Sequence, residues 1–172
     1  PRRQELCLYY LTQLGDNEKE DKLREAFIKT AAAETFLSWQ YYNKMNGDKA
    51  KQLDNGTIPP EFLRSMFYTY GDYRDICLDT DISNKEKDIA NARNKIDKIF
   101  LKKDGQTPNE QRKAFWGKYG KDIWEGMLCG LSHHIKNGNK EKLRKNFTDK
   151  NQYSTISRTL EDFATRPQFF RW

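Results

Sequence analysis

Four carboxylates, Asp72, Asp75, Asp79 and Asp81, fall within ten residues of one another. Paired carboxylates can move a proton or hold a hard cation, which makes this cluster the first candidate for chemistry. Its spacing lacks the glycine and the terminal glutamate of a calcium loop, and Arg74 stands among the acids. Salt bridging and helix termination therefore account for it better than catalysis or metal binding. His133 and His134 are adjacent rather than one helical turn apart, and no CxxC pair is present, so no zinc site is expected. Neither a Ser–His–Asp signature nor a glycine-rich phosphate loop occurs. Cys7, Cys77 and Cys129 lie in apolar or aromatic surroundings, in RRQELC, FLRSMFYTYGDYRDIC and WEGMLC, without the polar company that activates a thiol. No catalytic residue, no metal and no cofactor is expected, and the chain reads as a scaffold rather than an enzyme.

Charge is the other source of chemistry. A formal net charge of +6 favours an acidic partner: a sulfated glycan, nucleic acid, an anionic membrane or an acidic protein face. Along most of the chain lysines alternate with acids, as in Lys85–Glu86–Lys87–Asp88, the pattern of a solvated helix face. Two sets are candidates for holding sulfates as point charges: Lys95, Lys98, Lys102 and Lys103, and Lys136, Lys140, Lys142, Arg144 and Lys145. The second set is the least diluted, although Glu141 and Asp149 interrupt its run. Asn55–Gly56–Thr57 and Asn146–Phe147–Thr148 match the glycosylation triplet, a weak signal in an asparagine-rich chain.

The elements that position these residues read as helices. At 172 residues with 23 aromatic side chains, the chain can build one real core despite a third of its residues being charged. Leu23, Phe27, Thr30, Phe36, Leu37 and Tyr41 recur at near-helical intervals, giving a helix over 21–45 that stops at Asn46–Gly47. A loop over 47–58 precedes Pro59–Pro60, which opens a helix over 61–78. On that helix Phe62, Met66, Phe67, Tyr70, Tyr73, Ile76 and Cys77 form a wide apolar face, and Gly71 marks a close helix contact. Ser83 with Glu86 caps a third helix running to Lys102, and Thr107, Pro108 and Glu110 start a fourth. Gly117 and Gly120 are expected to break this last one before 122–134, where Trp124, Leu128 and Leu131 form a buried stripe. Residues 136–155 lose apolar periodicity and read as a long polar connection, with TLEDFA a short final helix and PQFFRW the start of another. The expected core includes Phe36, Trp39, Phe62, Met66, Phe67, Tyr73, Trp124 and Leu128.

The cysteine count is odd, which leaves open either three reduced thiols or bridges reaching beyond the segment. If Cys77 and Cys129 lie on neighbouring packed helices, a bridge between them would clamp the bundle, and Cys7 would pair outside. No apolar stretch is long enough to cross a bilayer, and Pro1–Arg3 does not begin a signal peptide. With PQFFRW running to its last residue, the chain reads as an excised segment.

RRQELCLYYL, AFIKTAAAETFLSWQYY, PPEFLRSMFYTYGDYRDIC, IWEGMLCGL and PQFFRW resemble the Duffy-binding-like domains of the Plasmodium falciparum erythrocyte membrane protein one family, with likeness both to the beta type and to the placental chondroitin-sulfate-binding domains. The resemblance implies an all-α, disulfide-clamped helical bundle with long polar loops. It implies the end of a first subdomain over about 1–20, a central bundle over about 21–172, and a third subdomain beyond Trp172. The family pattern implies a Cys77–Cys129 bridge, with the Cys7 partner outside the segment. The implied function is cytoadhesion by a variant antigen on the outer face of the infected-erythrocyte membrane. Its partner would be a host receptor such as intercellular adhesion molecule one, with variable loops facing host antibodies. The alternative partner is chondroitin or heparan sulfate on the lysine sets; nucleic acid and direct membrane insertion are not expected.

Overall fold

The computed structural model describes residues 6–80, 87–100, 105–135 and 140–171. Among them every regular element is helical, and the expected all-α class holds. The order is α1 (Tyr9–Thr12), α2 (Glu20–Met45), α3 (Gly47–Ala50), α4 (Pro60–Leu78), α5 (Lys87–Phe100), α6 (Pro108–Ser132), α7 (Lys140–Asn151) and α8 (Tyr153–Thr165). Tight 3₁₀ turns follow α3, over Lys51–Asn55, and α8, over Gln168–Arg171.

The pairing of α2 with α6 is the axis of the bundle. Gly126 and Gly130, one turn apart on α6, lie against Ile28 and Ala32, one turn apart on α2. With no side chains between them, the two backbones approach closely enough that a Cβ on Gly130 would run onto the Ala32 carbonyl oxygen. Beyond this seam the core is aromatic. Phe27 meets Tyr73, Phe115 and Trp116 with ring centroids 6.0–6.4 Å apart, and Tyr70 sits edge-on to Trp116 at 5.0 Å. Such edge-to-face pairs add about 1 kcal/mol each beyond the area they bury. Trp39, Phe62, Met66, Tyr73, Trp124 and Leu128 are buried, while Phe36 and Phe67 are half-buried. Leu37 and Tyr41 point to solvent instead, although they share the helical spacing of the buried residues.

Several sequence expectations change. The helix α6 runs unbroken through Gly117 and Gly120. Each glycine costs roughly 1 kcal/mol relative to alanine, but buried Phe115, Trp116, Ile123 and Trp124 on either side hold the helix. Gly120 has a role of its own, lying under the Tyr70 hydroxyl. The polar stretch after His134 contains α7 and the start of α8 rather than a long loop. Buried Phe147 seats α7, and the Trp124 indole N–H donates to the Asn151 carbonyl at 3.0 Å. One fully buried ring in twelve residues leaves too little periodicity to read. Within PQFFRW, Gln168–Arg171 form a 3₁₀ turn where a helix start was expected; Trp172 lies outside the described residues. The Thr107–Glu110 capping box is present with both reciprocal bonds; Ser83 and Glu86 lie outside the described residues.

The structure does not form the Cys77–Cys129 clamp. Cys77 is fully buried, with its Sγ 4.0 Å from the Arg112 carbonyl near the start of α6. Cys129 is exposed near the end of the same helix. Seventeen residues of rise put that position about 25 Å along the axis, far beyond the reach of a disulfide. Cys7 is half-buried, and no two of the three cysteines are bonded to each other; a Cys7 partner beyond the segment remains an expectation.

Candidate functional site

The carboxylates come first, and the structure uses them for structure. Asp79 closes α4 in the left-handed conformation at φ 57° and pairs with Arg93 and Arg112. Asp75 is buried against Arg171. Asp81 lies outside the described residues. His134 stacks on Phe36 with centroids 4.2 Å apart and its ring nitrogen 2.9 Å from the Phe36 carbonyl. Among the described residues no group of three histidine, cysteine or acidic side chains is arranged to hold a metal.

The two lysine sets fare differently. On α5, the buried stripe Ile89, Ala92, Ile96 and Ile99 turns Lys95 and Lys98 toward Asp16, whose Oδ1 lies 3.4 and 2.8 Å from their ammonium groups. Hydrogen bonding and attraction, from Lys98 above all, hold the Asp16 carboxyl below its usual range. The two ammonium groups thus share one carboxylate, which offsets one of their two charges. Lys102, Lys103 and Lys136 lie outside the described residues. On α7, Lys140, Lys142 and Lys145 are exposed, while Arg144 turns inward and donates from Nε to the Ser132 carbonyl at 3.2 Å.

Two surface clefts complete the candidate surfaces. The first lies beside α2, where Leu37, Tyr41 and Met45 form a stripe with successive exposures of 55, 71 and 63%. It encloses about 510 Å³ between Leu37, Tyr41 and Tyr42 of α2, Glu61 and Phe62 of α4, and Cys7. Its rim is braced: the Tyr42 hydroxyl and the Lys49 ammonium each donate to Glu61 at 2.9 Å. Burial, with Glu61 alongside, pushes the Tyr42 hydroxyl up to about 12. The Cys7 segment is pinned at both backbone groups. The Cys7 N–H donates to Glu34 and the Cys7 carbonyl accepts from Tyr73, each at 2.8 Å.

The second cleft, about 400 Å³, lies between the start of α4, the end of α8 and the C-terminal turn. Phe67, Phe163 and Phe170 contribute rings, and Arg64, Arg166 and Arg171 contribute guanidinium groups. Sequence reasoning missed this site because its parts lie about a hundred positions apart in the chain. Gly71 was the one available signal: a Cβ there would come within 3.1 Å of the Arg171 guanidinium, so the close contact it marks is with a side chain, not a helix.

Residues 1–171 match the family model described as the Duffy binding domain. The chain is 23% identical over 173 residues to the Duffy receptor gamma form of Plasmodium knowlesi, covering 99% of the chain and 14% of that protein. It is likewise 23% identical over 171 residues to the Duffy receptor of Plasmodium vivax (strain Salvador I), with the same coverage. The chain thus spans about one seventh of the length of these relatives. No solved structure matches it.

Proposed function

The chain belongs to the Duffy binding domain family, and on that ground we propose that it is the adhesive part of a Plasmodium surface protein that docks on a host-cell receptor. The observation that carries this reading is the family match over residues 1–171, to which two proteins named as Duffy receptors add weight. The finer reading places it among the erythrocyte membrane protein one type, on the infected-erythrocyte surface. Its receptor is then of the intercellular adhesion molecule kind, with antigenic variation in the exposed polar segments. The α2 stripe supports a protein partner. Leu37, Tyr41 and Met45 expose apolar side chains on a well-packed helix beside a braced cleft, the character of an interface centre rather than a solvated face.

A glycan reading keeps one specific support, the exposed Lys140, Lys142 and Lys145 on α7. The two readings differ in salt dependence. Sulfate recognition by lysines weakens steeply as ionic strength rises, whereas a contact centred on Leu37 and Tyr41 does not. The test is binding of the protein to immobilised receptor ectodomains and to chondroitin sulfate at low and high salt, with Tyr41→Ser and with Lys140→Gln/Lys142→Gln. Loss with Tyr41→Ser and indifference to salt supports the protein receptor. Loss with the lysine variant and a steep salt slope replaces it with the glycan. Binding to neither surface overturns adhesion.

A further inference from the structure

We propose that α7 is a strap that unwinds while the rest of the bundle stays folded, uncovering an apolar strip of α6 formed by Trp124, Leu128 and Leu131. Two bonds place the strap. Arg144 donates to the Ser132 carbonyl at 3.2 Å, and the Trp124 indole N–H donates to the Asn151 carbonyl at 3.0 Å. The start of α7 therefore lies at the end of α6 and its end lies at Trp124, so the two helices run antiparallel. Phe147, between the two fastenings, falls level with Leu128, and both side chains are fully buried. Trp124, Leu128 and Leu131 share one face of α6 by their helical spacing. With α7 docked, none of the three is exposed.

Little holds the strap. Phe147 is its one buried side chain in twelve residues, with Leu143 half-buried beside it. The neighbouring α8, at thirteen residues, is fastened far better. It buries Leu160 and Ala164, its Glu161 accepts from the hydroxyls of Tyr70 and Tyr153, and its Ala164 carbonyl accepts from buried Arg171. Nor does α7 hold itself together. Asn146, Thr148, Asp149 and Asn151 are weak helix formers, and a helix this short is marginal in water without packing. Its boundaries, by contrast, are firm. Ile135 is buried on one side. On the other the Asn151 carbonyl is held by Trp124 and the Tyr153 N–H donates to Glu125 at 3.0 Å, with Gln152 breaking the helix between them at ψ 153°. Tied at both ends, α7 opens by unwinding rather than by swinging. A segment with one anchor between two fixed boundaries opens at a lower free energy than the whole domain, which makes it a local unfolding unit.

The test is hydrogen exchange of the whole chain, read by mass spectrometry in urea below the unfolding transition. Amides of α7 should exchange at least about tenfold faster than those of α8 and of the Trp124–Ser132 stretch of α6. Their rate should be nearly flat in urea, because opening one short helix exposes little surface. Phe147→Ala removes the anchor and should speed α7 by about tenfold or more while leaving α2 unchanged. Arg144→Gln, a milder change, should speed α7 by about fivefold. Protection of α7 equal to that of α6, with the same urea slope, overturns the proposal, because the segment then opens only with the whole bundle. A Phe147→Ala rate equal to the parent's overturns it as well, since the ring is then not the fastening. A Phe147→Ala chain in which α2 and α7 speed up alike, or which loses its helical circular dichroism outright, makes α7 part of the core and likewise ends the proposal.

Discussion

Arg171 grips Asp75 across 96 residues of chain: its two terminal nitrogens lie 2.9 and 3.1 Å from the two carboxylate oxygens, in a fork-to-fork pair. Both side chains are buried, 1 and 4% exposed. The same guanidinium donates to the Ala164 carbonyl at 2.6 Å, and the Arg171 carbonyl accepts from the Tyr68 hydroxyl. One residue thereby ties the C-terminal turn to α4 and α8. Removing one partner of a buried pair leaves the other charge without compensation, which costs about 3 kcal/mol or more. Arg171→Ala should lower the urea midpoint accordingly with the slope unchanged. Arg171→Lys should recover little, because an ammonium cannot reproduce the fork. A midpoint for Arg171→Ala equal to the parent's would show that the pair does not hold the turn.

The glycines of α6 separate into two kinds. Gly130→Ala puts a methyl group onto the Ala32 backbone, which cannot move without opening the α2–α6 seam, so a loss of about 2 kcal/mol or more is expected. At Gly117 a Cβ meets nothing within 4 Å. Alanine there should be neutral or stabilising by about 0.5–1 kcal/mol, from helix propensity and a less flexible unfolded chain. Thermal melts of the two variants check the pair. Equal effects would mean the seam is looser than the structure has it.

What was legible in the sequence follows the same physics. Capping chemistry is local, so Thr107–Glu110 and Pro59–Pro60 marked the starts of α6 and α4 to within a residue. Wide apolar faces were legible too, since Met66 and Tyr73 on α4, and Trp124 and Leu128 on α6, stand at helical spacing. Contacts between distant segments were not. The acids around Arg74 pointed to salt bridging without naming a partner, and the fold pairs Asp75 with Arg171, 96 residues away. Lys95 and Lys98 read as free cations until Asp16 was seen between them. Leu37 and Tyr41 have the spacing of core residues and the exposure of a surface, a distinction that spacing alone does not make.

The cysteines should differ sharply in reactivity. Cys129 is exposed, whereas Cys77 is fully buried and burial pushes its thiol well above the usual range. The thiolate is the reactive form, so both access and ionisation protect Cys77. Iodoacetamide applied to the native protein, followed by mass spectrometry, should label Cys129 and spare Cys77. Denaturant should expose Cys77 to the same reagent. A native Cys77–Cys129 cross-link in the digest would contradict the packing of α4 on α6.

Alkali should unfold the chain through its buried tyrosines. Burial is the leading cause that raises Tyr42 and Tyr153 to about 12 and lifts Tyr70 and Tyr73 higher still. Unfolded tyrosine ionises near pH 10. The folded state therefore holds its phenolic protons where the unfolded state gives them up. The sign follows from linkage: the contribution to stability is complete below about pH 10 and is lost as pH rises through about 12 and beyond. Urea midpoints should be flat on this account up to about pH 10 and then fall. Tyr42→Phe removes one titrating group together with its bond to Glu61. It should cost about 1 kcal/mol at neutral pH, and its stability should fall less steeply than the parent's above pH 10. Parallel alkaline limbs for parent and variant would show that Tyr42 ionises without regard to folding.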